Sequence, residues 1–411
     1  MKQKIVIIGG GASGMLASIF AARAGSEVHV YEQNERLGKK LFITGKGRCN
    51  ITNACEVEEL FTAIASNPKF LYSSFYAYSN ADVMTLFEEL GVAIKIERGN
   101  RVFPVSDKSS DVIKALAGEM KRQGVHVHLK TQVEDVQAVD EIFSQIVLKS
   151  GESIKADICM IATGGCSYSL TGSTGAGYKW GERLGHMVTP LFPSLVPMET
   201  KEDYPKELQG LSLRNVRVTI THKTKEVYSG FGEMLFTHYG VSGPLIIDAS
   251  AYVGPILEKE ELKLCIDLKP ALTAEELDCR ILREFENNQN KQFKNVIGTL
   301  FPAKLTPIML QLSRIEADAK ISMISREERH SFVNLIKSLE ITITRLRGYE
   351  EAIITKGGIS VKDINPRTME SKKVKNLYFI GEVLDLDALT GGYNLQIAWS
   401  TAYIAATSGR I

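Results

Sequence analysis

The sequence predicts an α/β fold: one parallel-sheet domain, split by an insert that is β-rich at first and helical later. Three observations carry this prediction. Strand, glycine-rich turn, helix and second strand follow one another within the first 32 residues. A further buried strand runs into glycines at Gly164, and a strand-then-glycine pattern returns near the C-terminus after a middle stretch in which it lapses.

Ile5-Val6-Ile7-Ile8 is a continuous apolar run, as a strand buried on both faces requires. It leads into Gly9-Gly10-Gly11-Ala12-Ser13-Gly14, where Gly9, Gly11 and Gly14 fit G-x-G-x-x-G. Met15 to Arg23 reads as a helix, Gly25-Ser26 as a turn, and Val28 to Tyr31 as a second strand ending at Glu32. That is the order of a dinucleotide-binding unit. Gly9 permits the tight turn, Gly11 admits a pyrophosphate to the backbone, and Gly14 lets helix and strand pack closely. Unpaired N–H groups at the helix start, around Ala12 and Ser13, supply donors and partial positive charge. Glu32, about 20 residues beyond, suits the hydroxyls of an adenosine ribose. A membrane or export segment is the competing reading, because Ile5 to Ala22 carries no charge over 18 residues. The clustered glycines would weaken a spanning helix, and the pattern is not that of a cleavable leader.

Size and composition bound the rest. A chain of 411 residues with 44% hydrophobic and 24% charged residues has room for two or three domains with ample core. A net charge of +1 gives no global field for nucleic acid or acidic lipid, so neither is expected as a partner. Six scattered cysteines (Cys49, Cys55, Cys159, Cys166, Cys265, Cys279) without a secretory leader point to free thiols and a cytoplasmic location. C-x-x-C does not occur, which argues against a redox dithiol and leaves no spacing for zinc or an iron–sulfur cluster; no metal is expected.

After Glu32, the segment to Asn53 holds Lys39, Lys40, Lys46 and Arg48 interleaved with Gly38, Gly45 and Gly47. Glycines let amides turn toward a ligand and the cations offset its negative charge, so Lys40, Gly45, Gly47, Arg48, Cys49 and Asn50 are candidates for a second clamp on a diphosphate. Together, Gly9 to Gly14, Glu32 and Thr44-Gly45-Lys46-Gly47-Arg48-Cys49-Asn50 resemble a bacterial flavoprotein family of FAD-dependent aminoacetone oxidase-like or BaiN-like oxidoreductases. These are relatives of the fumarate reductase and glutathione reductase flavoproteins, and the resemblance runs nearly end to end. It implies a Rossmann-like FAD-binding domain and FAD as cofactor.

Residues 57–92 read as helices, with Val83, Met84, Leu86, Phe87 and Leu90 on one face closed by Gly91. Arg101-Val102-Phe103-Pro104 reads equally as a strand with a proline end or as the family's Arg-Val-Phe-Pro stretch. Ser110 to Gln123 is a further helix and Val125 to Leu129 a strand; Phe143 to Leu148 and Ser153 to Ala156 suggest an antiparallel meander. The resemblance implies that Val133 meets adenine through its backbone. Asp157 to Gly165 is a buried strand ending in Ala-Thr-Gly-Gly, which resembles the superfamily's second FAD signature and makes Thr163 and Gly164 candidate contacts. Cys159 and Cys166 read as packed thiols. Thr171 to Tyr178 leads a helix through Gly185; at Ala176 the fumarate reductase relatives usually carry Asp, so no carboxylate acts there.

Pro190, Pro193 and Pro197 mark a boundary. Beyond it Val216 to Ile220, Val227 to Gly232 and Leu262 to Leu268 read as strands of a separate antiparallel unit. Glu275 to Phe285, Gln292 to Leu300, Lys304 to Leu312 and Glu327 to Leu339 read as helices of a cap. Within this insert, Phe236-Thr237-His238-Tyr239-Gly240-Val241-Ser242-Gly243-Pro244 combines His, Tyr and Thr with glycines, and resembles a family segment of the same form. His238 is the candidate acid–base residue. The other histidines have no such setting.

The first domain then resumes. Leu377 to Asp385 is a strand running into an acid-bearing turn, with Gly381, Glu382 and Asp385 as candidate contacts and Asp385 suited to ribityl hydroxyls. Gly391-Gly392-Tyr393-Asn394-Leu395-Gln396 opens the last helix, whose N-terminus at Gly392, Asn394 and Leu395 can stabilise negative charge on a reduced flavin. Tyr393 is the second candidate catalytic residue. The expected domains are 1–190 and 353–411 for FAD, around an insert at 191–352 that is β-rich over 191–270 and helical over 271–340. The expected function is hydride transfer between a small-molecule substrate and flavin N5, with oxygen or transient NAD(P)H as the other partner. Action of the same fold on RNA, or non-catalytic FAD binding, are the alternatives. Nothing in the sequence sets the oligomeric state.

Overall fold

The computed structural model describes residues 2–408, which form two compact units: the chain up to Ser194 with that from Gly348 onward, and Leu195–Arg347. Residue 1 and residues 409–411 of the two expected FAD segments lie outside the described residues.

The first unit is built on a five-stranded parallel sheet. Its order across the sheet is Leu377–Phe379, Ile158–Ile161, Lys4–Ile8, Glu27–Tyr31 and His126–His128. Lys4–Ile8 lies at the centre, which is why Val6 and Ile7 are fully buried and why its sequence does not alternate. The helix Ala12–Arg23 packs against the closing helix Tyr393–Thr407, and both are apolar on nearly all sides. It begins three residues before the expected Met15, because Gly11 serves as N-cap and the fingerprint itself supplies the first turn. Val133–Val139, Ile142–Leu148 and Ser153–Lys155 form the antiparallel meander, and Arg101–Pro104 is the central strand of a small sheet with Thr52–Asn53 and Ile94–Glu97.

The second unit is a closed six-stranded antiparallel barrel: Met198–Thr200, Gly240–Ser242, Lys225–Thr237, Ser212–His222, Leu262–Asp267 and Leu339–Leu346. Val216, Val218 and Ile220 alternate into its core, which closure protects from edge pairing. The helices Ala274–Glu286 and Arg326–Lys337 start in capping boxes, Thr273 with Glu276 and Ser325 with Glu328. They bury Leu277, Ile281, Phe332 and Ile336 in the same core as the barrel strands.

Two expectations for the insert are corrected. The last helix does not reach Leu339, nor does the helical stretch fill 271–340. The helix ends at Lys337, Ser338 leaves helical geometry, and Leu339–Leu346 closes the barrel. Alternating Ile341 and Ile343, both buried, decide for the strand. A helix absent from the sequence reading, Pro244–Leu257, follows the His238 segment; Gly243 at φ 91 and Pro244 at its first position start it. The units divide at 194/195 and 347/348, a few residues from the expected 190/191 and 352/353.

Candidate functional site

Backbone geometry shows what each fingerprint glycine does. Gly9 has φ +107, and a Cβ there would stand 2.5 Å from the Ala162 carbonyl oxygen. At Gly14 a Cβ would stand 1.9 Å from the Gly9 oxygen, so helix and strand touch only because both lack one. Gly11 is the exception. Its backbone is extended (φ −82, ψ −166), and a Cβ there would meet nothing within 4 Å. No side chain caps the helix it opens. An open space therefore faces uncapped N–H groups, which is the condition for binding an anion.

Glu32 is buried beside this turn. Its Oε2 accepts the Gly10 N–H at 2.7 Å, and its Oε1 accepts the Asn34 N–H at 2.8 Å and Asn34 Nδ2 at 2.7 Å. A carboxylate offers about four lone-pair sites, so one remains for a hydroxyl. Val133 begins the meander, buried and paired with Leu148.

The other glycine segments converge on the same turn. Thr163 lies beside Gly9, and a Cβ on Gly381 would stand 2.6 Å from Ser13 Oγ. Gly164 (φ +70) adjoins Glu382, and a Cβ on Gly392 (φ +99) would stand 2.4 Å from the Thr52 oxygen, two residues beyond Asn50. Asn394 holds the preceding loop, accepting from Ala388 N at 3.0 Å and donating to Ala388 O at 2.8 Å, while Leu395 stands in the first turn of the helix. Tyr393 is the first residue of that helix, partly buried, its ring against Gly391. Asp385 accepts from Asn67 Nδ2 at 3.1 Å, and burial followed by the neighbouring Asp387 charge pushes its carboxyl above the ordinary range.

The charged candidates are engaged with protein groups. Lys40 Nζ donates to both oxygens of Glu382 (2.9 and 2.6 Å) and to Ser167 Oγ at 2.6 Å, so two expected cofactor residues pair with each other. Arg48 bonds Glu97 and Asp107 and lies 4.1 Å over the Phe103 ring, inside the Arg-Val-Phe-Pro strand. Its side chain pins the loop, and what the loop offers a ligand is backbone: Gly45, Lys46, Gly47 and Cys49 all have positive φ. Cys49 is fully buried and its thiol is pushed up to about 12 by that burial, which suits packing and not nucleophilic attack.

Sequence reasoning missed Thr355 and Lys356. Thr355 Oγ1 accepts from Cys166 N at 2.7 Å and Ser167 N at 3.2 Å, and its N–H donates to Glu382 at 3.0 Å. The signal was the following Gly357-Gly358, whose tightness (a Cβ on Gly357 would stand 2.2 Å from the Pro190 oxygen) marks a crowded turn.

In the second unit, His238 and Tyr239 form the two-residue turn between Lys225–Thr237 and Gly240–Ser242. His238 is exposed and meets Tyr239 edge-on at 4.7 Å. Arg347 lies 4.6 Å over the Tyr239 ring and bonds Glu199 at 2.6 Å, while Thr237 Oγ1 is buried without a hydrogen-bond partner. Of the other histidines, His29, His126 and His128 do share a setting, stacked across two strands with His29 Nδ1 3.0 Å from His128 Nε2.

The first unit's residues fit FAD. The space at Gly11 suits a diphosphate and Glu32 a ribose; Asn50 Oδ1 and Thr163 Oγ1 are buried polar atoms still lacking partners. Among the described residues no group of three His, Cys, Asp or Glu could hold a metal ion, and no helix is long and apolar enough to cross a membrane.

Residues 3–408 match the family described as HI0933-like protein Rossmann domain. The chain is 30% identical over 406 residues to a 3-dehydro-bile acid delta(4,6)-reductase of Clostridium scindens, covering 98% of each protein. It is 32% identical to a ribosomal RNA dihydrouridine synthase of Haemophilus influenzae, over 98% of this chain and 97% of that one. The 3-ketosteroid-delta4-(5alpha)-dehydrogenase of Rhodococcus jostii RHA1 shares the fold (TM-score 0.52, 13% identity, 99% of this chain and 97% of that one). With the glycine cradle in place and the match running from end to end, the chain belongs to the HI0933-like Rossmann family and is an FAD-dependent oxidoreductase.

Proposed function

We propose that the protein adds hydrogen across a carbon–carbon double bond conjugated to a carbonyl in a small molecule, with NAD(P)H as the reductant. What carries this reading is the full-length likeness to two relatives whose names share one chemistry. A delta(4,6)-reductase and a dihydrouridine synthase both saturate a double bond next to a carbonyl. Bound FAD would supply the hydride carrier, flavin N5. Gly11, the helix start at Ala12 and Glu32 would hold its diphosphate and ribose, and the helix start at Tyr393 would face its flavin ring. Tyr393 would orient the substrate, and His238 is the sequence's candidate for the proton taken up by the carbon next to the carbonyl.

A second reading, action on a uridine of ribosomal RNA, is favoured by the 32% identity to the Haemophilus influenzae protein. The net charge of +1 weighs against it, since RNA affinity rests on neutralised phosphates. The two readings separate in one experiment. Purified enzyme is reduced anaerobically with NADH or NADPH, then mixed with a 3-keto-4-ene steroid or with unmodified ribosomal RNA. Flavin reoxidation by the steroid alone is expected; reoxidation by RNA alone, with dihydrouridine seen by mass spectrometry, would overturn the small-molecule reading. In the same assay His238→Ala should keep its FAD and slow reoxidation by about 10²–10⁴-fold, the usual worth of a positioned proton donor. Equal rates in variant and parent would remove His238 from the chemistry.

A further inference from the structure

We infer that Lys356 is a positioning residue for FAD: its ion pair with Asp387 fixes the loop in front of the closing helix. The inference rests on FAD occupying the cradle described above. Lys356 Nζ lies 2.6 Å from Ser66 Oγ and 3.2 and 3.3 Å from the two oxygens of Asp387, whose side chain is fully buried. Three segments meet at this ammonium.

The first segment cannot drift. Lys356 ends the strand Ile354–Lys356, Thr355 beside it is bonded to Cys166, Ser167 and Glu382, and the turn that follows is so close-packed that a Cβ on Gly357 or Gly358 would strike the Pro190 or Val383 oxygen. The second segment, residues 63–67, lies along the third, residues 385–389. Ala65 and Ser66 donate to the Asp387 carbonyl at 2.8 and 3.3 Å, Leu389 donates to Ala63 at 2.9 Å, and Asn67 Nδ2 donates to the Asp385 carbonyl at 2.8 Å. Asn394, in the first turn of the closing helix, is bonded to Ala388. Lys356 is thus the fixed charge on which the loop ahead of Gly392 and Tyr393 closes.

The electrostatics make this testable. Removing the cation from a buried ion pair leaves an uncompensated buried charge, which is strongly destabilising. Asp385 stands next to it with its own carboxyl already raised by burial; the Lys40–Glu382 pair reaches the same strand through Thr355, and the Tyr178 hydroxyl senses both Asp385 and Glu382. In Lys356→Met nothing compensates Asp387, whose closed-loop pKa rises above its open-loop value. The closed loop is then kept at low pH and lost as pH rises through that raised value.

The measurement is FAD released from diluted holoenzyme, followed by flavin fluorescence from pH 6 to 9, with far-UV circular dichroism as the check on folding. The parent and Lys356→Arg are expected to retain FAD equally across the range. Lys356→Met is expected to bind more weakly as pH rises, by roughly tenfold per pH unit while only the closed loop holds the proton, and to level off once the carboxyl is ionised in both states. Lys356→Met with Asp387→Asn removes the stranded charge and is expected to recover a pH-flat profile near the parent's. Parent-like retention in Lys356→Met, or a pH-flat loss that the double variant does not recover, would overturn the inference. A parent that neither carries nor takes up FAD would instead overturn the cofactor reading on which it rests, and shows itself before any variant is made.

Discussion

The first and last helices of the first unit begin at Gly11 and Gly392, and they use these glycines in opposite ways. At Gly11 a side chain would enter open space; at Gly392 it would strike the Thr52 carbonyl at 2.4 Å. Gly11 has an ordinary extended backbone, whereas Gly392 stands at φ +99, where other residues are strained. One glycine leaves room for a ligand and the other lets two stretches of chain touch. A glycine's place in a motif does not distinguish these roles, but the room around its missing Cβ does.

The largest expected effect lies on the crowded side. Gly392→Ala should cost about 1–3 kcal/mol for the left-handed backbone and about 1–3 kcal/mol more for the collision. Chemical denaturation of the FAD-free protein should show this loss directly. A variant as stable as the parent would mean that the Thr52 segment can yield, and the contrast between the helix starts would lapse.

Gly11→Val comes next, with the reverse signature. Its branched side chain has space and an allowed backbone, so FAD-free stability should stay within about 1 kcal/mol of the parent. FAD binding should fall by at least about 10²-fold, because the diphosphate and the side chain compete for one space. Full FAD occupancy in this variant would place the cradle elsewhere.

The same contrast explains what could be read in the sequence. Gly9, Gly11, Gly14 and Glu32 are legible because a buried strand, a glycine turn and a helix start lie within one short stretch. Arg48 was read as a ligand cation, yet it ties Glu97 and Asp107, partners 49 and 59 residues away that no local pattern reveals. Lys356 was passed over for the same reason, with Ser66 290 residues distant. Leu339, which opens the strand Leu339–Leu346, reads from the sequence as the end of the helix before it because Phe332, Ile336 and Leu339 keep helical spacing. Pro244–Leu257 was hidden behind the motif that precedes it. Local chemistry was readable where the site is local, and its long-range ties were not.

The smallest expected effect sharpens the comparison on the fingerprint side. Glu32 follows Tyr31, and its own N–H donates to the His128 carbonyl at 2.9 Å, so the strand His126–His128 bears on the ribose carboxylate. Above that pairing His29 stacks on His126 and His128, and Tyr31 on His128. His29 Nε2 lies 2.9 Å from Glu27 Oε1, and its Nδ1 lies 3.0 Å from His128 Nε2. One of those two ring nitrogens donates and the other accepts, so the contact survives one shared proton but not two. Burial, then the positive charges of His29 and His126, hold His128 below its ordinary value; Lys4 acts in the same direction and Glu152 against it. A depressed pKa in the folded state means stability present at neutral pH and lost as pH falls below about 6.5, where the unfolded chain takes up the proton first. Thermal melts of the FAD-free protein between pH 7.5 and 5 should lose of order 2 °C to this stack. His128→Gln, which cannot charge, should remove that part of the slope. An unchanged slope would leave the acid sensitivity to other groups and the fingerprint strand indifferent to its histidines.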